Sequence, residues 1–294
     1  MKKLIILLGV VGASLSAIFV RLSTAPALVL VFYRMLFSVA VLAPWSVLRC
    51  REEWKQTTRR EVLLSLLSGV FLGFHFTLYF SSLRYTSIAA SVVLVDTEVF
   101  FVALATPLIL RRKITRNGWL GIGLTFLGSV IIALAGRGSA MAMRGNLLAL
   151  GGAVCVAVYT MLGTVVRRTR STTVYTTLVY AAGTATVALM LLGTGTPILG
   201  YGAADYGAGL GLCVFSTLLG HSVFSWGLKY ESPAFVSTAK LMEPVFATLL
   251  GLALFREVPS ILVVLGGLLV IGGIAWYSFR GEPAEPVSGA GATG

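Results

Sequence analysis

Seven ionisable side chains stand in stretches otherwise too apolar to hold them: Arg34, His75, Asp96, Glu98, His221, Lys240 and Glu243. In a low-dielectric setting such groups can bind an ion or a zwitterion, or carry a proton. Lys240 and Glu243 are three residues apart, so on a helix they share a face and can pair. Pro244 follows at once and gives the Lys240 carbonyl no backbone donor. Open backbone at membrane depth is tolerated where protein or a wet cavity satisfies it. The pair and the proline therefore mark one spot, read as a substrate or coupling site. The plainer alternative is a structural salt bridge over a proline kink.

The run Val92–Leu104, VVLVDTEVFFVAL, carries two acids among apolar neighbours. Glu98 can hold a proton, or pair with Arg34 or Lys240; as a purely structural group it would be protonated and bonded to a hydroxyl. Asp96 lies two residues away, about 200° round a regular helix. On such a helix the two acids do not face one cavity, and Asp96 is assigned to a bond with a neighbouring helix. His75 has Tyr79 one turn on, and His221 has Ser225, each pair on one face. Tyr79 and Trp226 are the aromatic candidates for a cavity wall, with Phe32, Tyr33, Tyr159 and Phe224 behind them. A lone intramembrane histidine also serves as an interhelical hydrogen-bonder.

These residues must be positioned by membrane-spanning helices. The chain of 294 residues is 57% hydrophobic and only 12% charged, about half the charge of a soluble domain. No Asp, Glu, Lys or Arg lies between Glu61 and Arg84, between Asp205 and Lys229, or between Glu257 and Arg280. Each run is long enough to cross a hydrocarbon core of about 30 Å. Ten spans are expected, near 4–20, 28–48, 62–83, 86–110, 118–135, 146–166, 173–192, 206–228, 232–254 and 259–279. The opening MKKLIILLGVVGASLSA imitates a secretory signal. A second span follows at once, so it is read as a retained first helix.

The net charge of +12 is not a nucleic-acid signature here, because the basic residues sit in short gaps between spans. Sixteen of the 23 lysines and arginines fall on one side of the ten-span arrangement and five on the other, with Arg34 and Lys240 inside spans. By the positive-inside bias both termini are cytoplasmic. The loop Arg49–Glu61 reads as a mixed-charge surface segment and nothing more, and the tail 281–294 as disordered. Cys50, Cys155 and Cys213 lack metal-ligand or disulfide spacing. No metal, cofactor or nucleotide motif is present, so ATP-driven pumping is not expected. Glycine and alanine pairs at small-xxx-small spacing (Gly9 with Ala13 and Ala17, Gly69 with Gly73, Gly207 with Gly211) are expected to let helices pack closely.

A shift of 145 residues aligns Tyr85–Gly128 with Tyr230–Gly273 without gaps. Eleven of 44 positions are identical, against about four by chance in so biased a composition. Glu98 matches Glu243, Gly121 matches Gly266, and Gly128 matches Gly273. Two five-span halves, 1–137 and 138–280, follow. Five is odd, so the halves enter the membrane in opposite directions. That is the arrangement of many secondary transporters, whose sites lie near the midplane between the repeats. The fold class expected is an all-α membrane protein of ten helices in two inverted repeats.

The segments YTSIAASVVLVDTEVFFVAL and SPAFVSTAKLMEPVFATLLGLALFREVPS, with GFHFTLYFSSLRYTS and GHSVFSWGLKYES, resemble the drug/metabolite transporter superfamily, in particular its EamA-type ten-span bacterial branch. The resemblance covers about residues 4–279. It implies a basket-like bundle working by alternating access, exporting amino acids, other metabolites or drugs. The family's Glu-Pro stands here as Glu243-Pro244, and its following acid as Glu257. Two positions depart from the pattern. Val99 replaces a proline, which implies a first half stiffer at its midpoint, and Arg111-Arg112-Lys113 replaces an acid.

The reading is therefore an inner-membrane secondary transporter of a small metabolite such as an amino acid, proton-coupled or exchanging, and not an enzyme. Its partners are the lipid bilayer and a small-molecule substrate, as a monomer or homodimer. Mixed charge at the site suits a zwitterion. The rivals are an exporter of hydrophobic cations, with Arg34 and Lys240 facing away from the cavity, and an intramembrane enzyme or non-transporting subunit.

Overall fold

The computed structural model describes residues 2–110, 115–135, 139–227 and 242–281, and these contain helices and no strand. Seven helices are long and apolar enough to cross a membrane, which makes this a multi-pass membrane protein. They are α1 (Lys2–Leu22), α2 (Ala27–Arg49), α4 (Arg59–Ser82), α7 (Arg116–Ala135), α8 (Ala140–Val166), α9 (Thr172–Thr194) and a composite of α10 (Ala203–Gly211), a π-helical segment (Leu212–His221) and α11 (Ser222–Gly227). The remainder are α3 (Arg51–Gln56), α5 (Ile88–Asp96), α6 (Glu98–Leu110), α12 (Glu243–Phe255) and α13 (Ile261–Trp276), the last followed by a π-helical turn, Tyr277–Gly281.

Hydroxyl caps set where the helices start. Ser87, Ser139, Ser171 and Ser260 each accept from the backbone N–H three residues on. Thr58 and Glu61 form a full capping box at α4. Each cap satisfies donors that would otherwise be orphaned at a helix start.

The predicted fourth span, 86–110, is not one regular helix. It breaks at Thr97, between α5 and α6. Thr97 N–H and its hydroxyl both donate to the Leu94 carbonyl, at 3.3 and 2.6 Å, a tight turn that ends α5. The stiff midpoint expected from Val99 is thus absent: no proline is needed, because the Thr97 hydroxyl competes for the backbone. Asp96 and Glu98 lie on either side of this break, Asp96 within electrostatic reach of Tyr79 and Glu98 of Tyr159. Of the predicted ninth span, only its second half, α12, is described. α12 begins at Glu243, with Pro244 in its first turn.

The loop Arg49–Glu61 is also more than solvated surface. It holds α3 and a grip on the α8–α9 turn. Glu61 pairs with Arg170 (2.9 Å) and accepts from Thr169. Glu53 accepts from the Ser171 N–H at 2.5 Å.

The bundle closes through small residues. α4 packs between α8 and α9, and α1 against the π-helical segment. Gly69 faces the Val179 carbonyl, Gly73 faces Gly183, and Gly9 lies against Leu219 and Val223. Gly211 admits the Phe19 ring, but nothing lies within 4 Å of where a Gly207 side chain would start, so that glycine is not a packing residue. α7 and α13 cross on four glycines. A Cβ on Gly121 would meet the Gly273 carbonyl at 2.7 Å, and one on Gly128 the Gly266 carbonyl at 2.5 Å.

Candidate functional site

Arg34 lies on α2 and is 1% exposed. Its Nε donates to Thr217 Oγ1 at 2.8 Å and its Nη1 to Ser16 Oγ at 3.2 Å. Its Cζ sits 3.8 Å above the centre of the Phe76 ring. Ser16 belongs to α1, Phe76 to α4 and Thr217 to the π-helical segment, so four elements converge on one guanidinium. A charge at the bilayer centre costs about 2.5–3.5 kcal/mol on insertion scales. Charge-assisted hydrogen bonds and a desolvated cation–π contact, each worth up to about 2–3 kcal/mol, offset that cost.

The π-helical segment holds Thr217 in place for this contact. The Thr217 hydroxyl donates to the Leu212 carbonyl five residues back, at 3.1 Å. With its hydrogen given to Leu212, the Thr217 oxygen is left to accept from Arg34. π-Helical turns are common at functional sites.

The other predicted residues fall round this point unequally. His221, the last residue of the π-helical segment, sets its ring edge-on to Phe76 at 5.7 Å. Arg34 and His221 thus share Phe76. Tyr79 is buried and within electrostatic reach of Glu243, Asp96 and Arg34. The half-buried Glu243 opens α12, and its carbonyl accepts from Ser14 on α1 at 3.3 Å. Buried Pro244 sits in the first turn of α12, a favoured place for proline.

His75 points elsewhere. Its Nδ1 meets the Gly152 carbonyl on α8 at 2.9 Å, so that nitrogen carries the proton, and its ring stacks on Tyr79. Glu98, 8% exposed, lies within electrostatic reach of Tyr159 on α8. Tyr159 stacks on Tyr175, whose hydroxyl is 2.7 Å from Ser68. Trp226 is in α11, but its side chain is outside the described residues, as is all of Lys240; the predicted Lys240–Glu243 pair therefore lies outside them too.

Three features had no reading in the sequence. Ser16 and Thr217 resemble any of the chain's many hydroxyls. The third is a polar cluster at one end of the bundle. Asp205, in the first turn of α10, accepts from Ser23 Oγ at 2.6 Å and from the N–H groups of Thr24 and Ala25 at 2.8 and 3.1 Å. Arg84 donates to the carbonyls of Ser23 and Ala25. Burial, and then the neighbouring Arg21 charge, lower the Arg84 pKa from its usual value, with Asp205 acting against them. Arg256, in a left-handed turn at φ 55°, ends α12 and turns Glu257 back. Glu257 then accepts from the Ile88 N–H at 2.6 Å and pairs with Arg21 at 3.4 Å. Of this cluster only Glu257 is singled out in the sequence, as the acid that follows Glu243-Pro244.

The EamA-like transporter family model matches twice, over residues 2–134 and 143–279. The chain belongs to the EamA-like transporter family. An "uncharacterized transporter YxxF" of Bacillus subtilis (strain 168) is 25% identical over 275 residues, 90% of this chain and 86% of that protein. An "uncharacterized transporter" of Archaeoglobus fulgidus is 25% identical over 252 residues, covering 83% and 85%. A probable 4-amino-4-deoxy-L-arabinose-phosphoundecaprenol flippase subunit, ArnE, of Hamiltonella defensa is 30% identical, over only 29% of this chain and 75% of its own length. A protein of known crystal structure superposes with a TM-score of 0.64 at 18% identity. It covers 94% of this chain and 96% of its own, a likeness of fold. A family member of this kind sits in lipid and handles small molecules.

Proposed function

We propose that this EamA-family protein is a secondary transporter of the bacterial inner membrane, built of ten spans in two inverted halves with both termini cytoplasmic. Its cargo is a small polar or amphipathic metabolite, an amino acid or a close relative, exported by alternating access with proton coupling or exchange. The observation that carries this reading is the matched pair of helix starts. α6 begins at Glu98 and α12 at Glu243, 145 residues apart, the same shift that aligns the two sequence segments. Interrupted helices at matched positions of two halves point to a midplane binding site. The double family match and the reciprocal glycine crossing of α7 on α13 support the two-half arrangement.

In this mechanism the first turns of α6 and α12 face the path between the halves. Tyr79, His221 and Arg34 line it beside Glu243, with Lys240 and Trp226 assigned to the same wall from the sequence. Closure on one side comes from the Asp205, Arg84 and Glu257 cluster, and on the other from the Glu61–Arg170 contact.

The test is counterflow in liposomes of purified, folded protein against amino acids, nucleosides and cationic dyes. Uptake of at least one amino acid-like class is expected. Absence of flux for every class would overturn the transporter reading in favour of a non-transporting subunit or enzyme. Flux of cationic dyes alone would favour the hydrophobic-cation exporter.

A further inference from the structure

We propose that Arg34 is the residue that recognises an anionic group on the cargo, that this group is a carboxylate, and that Ser16 and Thr217 are its positioning residues. The inference rests on the transporter reading above and names the chemistry of its site. Two of the three guanidinium nitrogens are committed, Nε to Thr217 and Nη1 to Ser16. Phe76 covers one face of the group. Nη2 is buried and has no hydrogen-bond partner among the described residues. No salt bridge to Arg34 is present among those residues, and the Glu243 charge lies within its electrostatic reach.

A guanidinium stays charged in any protein setting. Buried donors without partners cost about 1–3 kcal/mol, more when charged. A permanent cation held by two neutral hydroxyls, with one nitrogen left over, is therefore arranged to receive an anion. One charge and one available nitrogen match a monoanion better than a phosphate, which brings nearly two charges and three acceptor oxygens. The surrounding Phe76, Phe80 and Tyr79 rings suit an apolar body attached to that carboxylate.

The two positioning residues come from opposite halves of the chain, Ser16 on α1 and Thr217 on the π-helical segment. The Thr217 hydroxyl is oriented by its own bond to the Leu212 carbonyl. Its oxygen therefore presents a lone pair to Nε and holds the plane of the guanidinium. Replacing Thr217 by valine keeps the shape and removes both bonds.

The experiment uses the purified full chain and a panel of matched pairs, each a small amino acid or N-acetyl amino acid and its primary amide. Thermal stabilisation in detergent and counterflow in liposomes are read for the wild type, R34M, R34K, S16A and T217V. Carboxylates are expected to stabilise the wild type and amides not to. R34M should lose the response while remaining folded, since exchanging a buried charge for an apolar chain need not destabilise. T217V should weaken the apparent affinity about ten-fold, with the carboxylate preference retained. R34K should keep the preference at lower affinity, which a merely structural role would not produce.

Stabilisation by carboxylates without flux would support the anchor and overturn the transporter reading. Flux that is equal for acids and amides, or unchanged in R34M, would overturn the anchor and leave transport standing. No wild-type response to any carboxylate in the panel would overturn the anchor as well.

Discussion

Gly128 lies against the carbonyl of Gly266, and the contact has an image: Gly121 lies the same way against Gly273. Positions 121 and 266, and 128 and 273, are equivalent under the 145-residue shift. The shift therefore turns one contact into the other, the reciprocity expected of a two-fold relation. The crossing of α7 on α13 leaves no space for a Cβ at any of the four positions.

Gly128→Leu should force these helices apart. The expected loss is about 1–3 kcal/mol, the usual range for overpacking, read as a lower unfolding midpoint in detergent. Gly123→Leu on the same helix is the control. Nothing lies within 4 Å of its would-be side chain, so its midpoint should match the wild type or rise slightly, since leucine is the better helix former.

The break at Thr97 makes a second, less obvious forecast. Val99 is the second residue of α6, where a helix has no internal partner for the N–H. Val99→Pro should therefore be tolerated, changing stability by less than about 1 kcal/mol. Leu104→Pro, in the middle of the same helix, should cost about 3 kcal/mol or more. Equal damage from the two prolines would mean that α5 and α6 are one continuous helix.

The two polar clusters should differ in weight. Asp205 is 4% exposed and satisfies several donors. Asp205→Ala strands them and should cost about 1–3 kcal/mol. Glu61 and Arg170 sit at a wetter edge, with side-chain exposures of 14% and 13%. Arg170→Ala should cost about 0.2–1 kcal/mol. Chemical or thermal unfolding of the two variants side by side decides the order, and a larger loss for Arg170→Ala would reverse it.

Much of the fold was legible in the chain, because crossing a membrane demands long charge-free runs that composition exposes directly. The seven long helices fall where such runs lie. Helices start at both Glu98 and Glu243, the spacing of the 145-residue shift. What escaped was set by single hydroxyls. Thr97 turns its side chain onto Leu94, and Thr217 onto Leu212. Either could equally have pointed at lipid or at its own i−4 carbonyl, as Ser38 does towards Arg34. A hydroxyl's choice depends on what packs beside it, which periodicity does not encode. His75 makes the interhelical hydrogen bond open to a lone intramembrane histidine, from Nδ1 to the Gly152 carbonyl, and no periodicity names that acceptor. The α3 segment was passed over because its charges look solvated until the α8–α9 turn is placed against it.

The most direct measurement is counterflow by Glu243→Gln in liposomes, with folding verified by an unchanged unfolding midpoint. Glu243 opens α12 beside Tyr79 and Arg34, and the amide keeps its shape while removing its charge and its proton chemistry. Loss of at least about ten-fold in rate is expected, as for removal of a charged partner at a binding site. A rate equal to wild type would contradict a transport site at the start of α12 and leave Glu243 a structural residue.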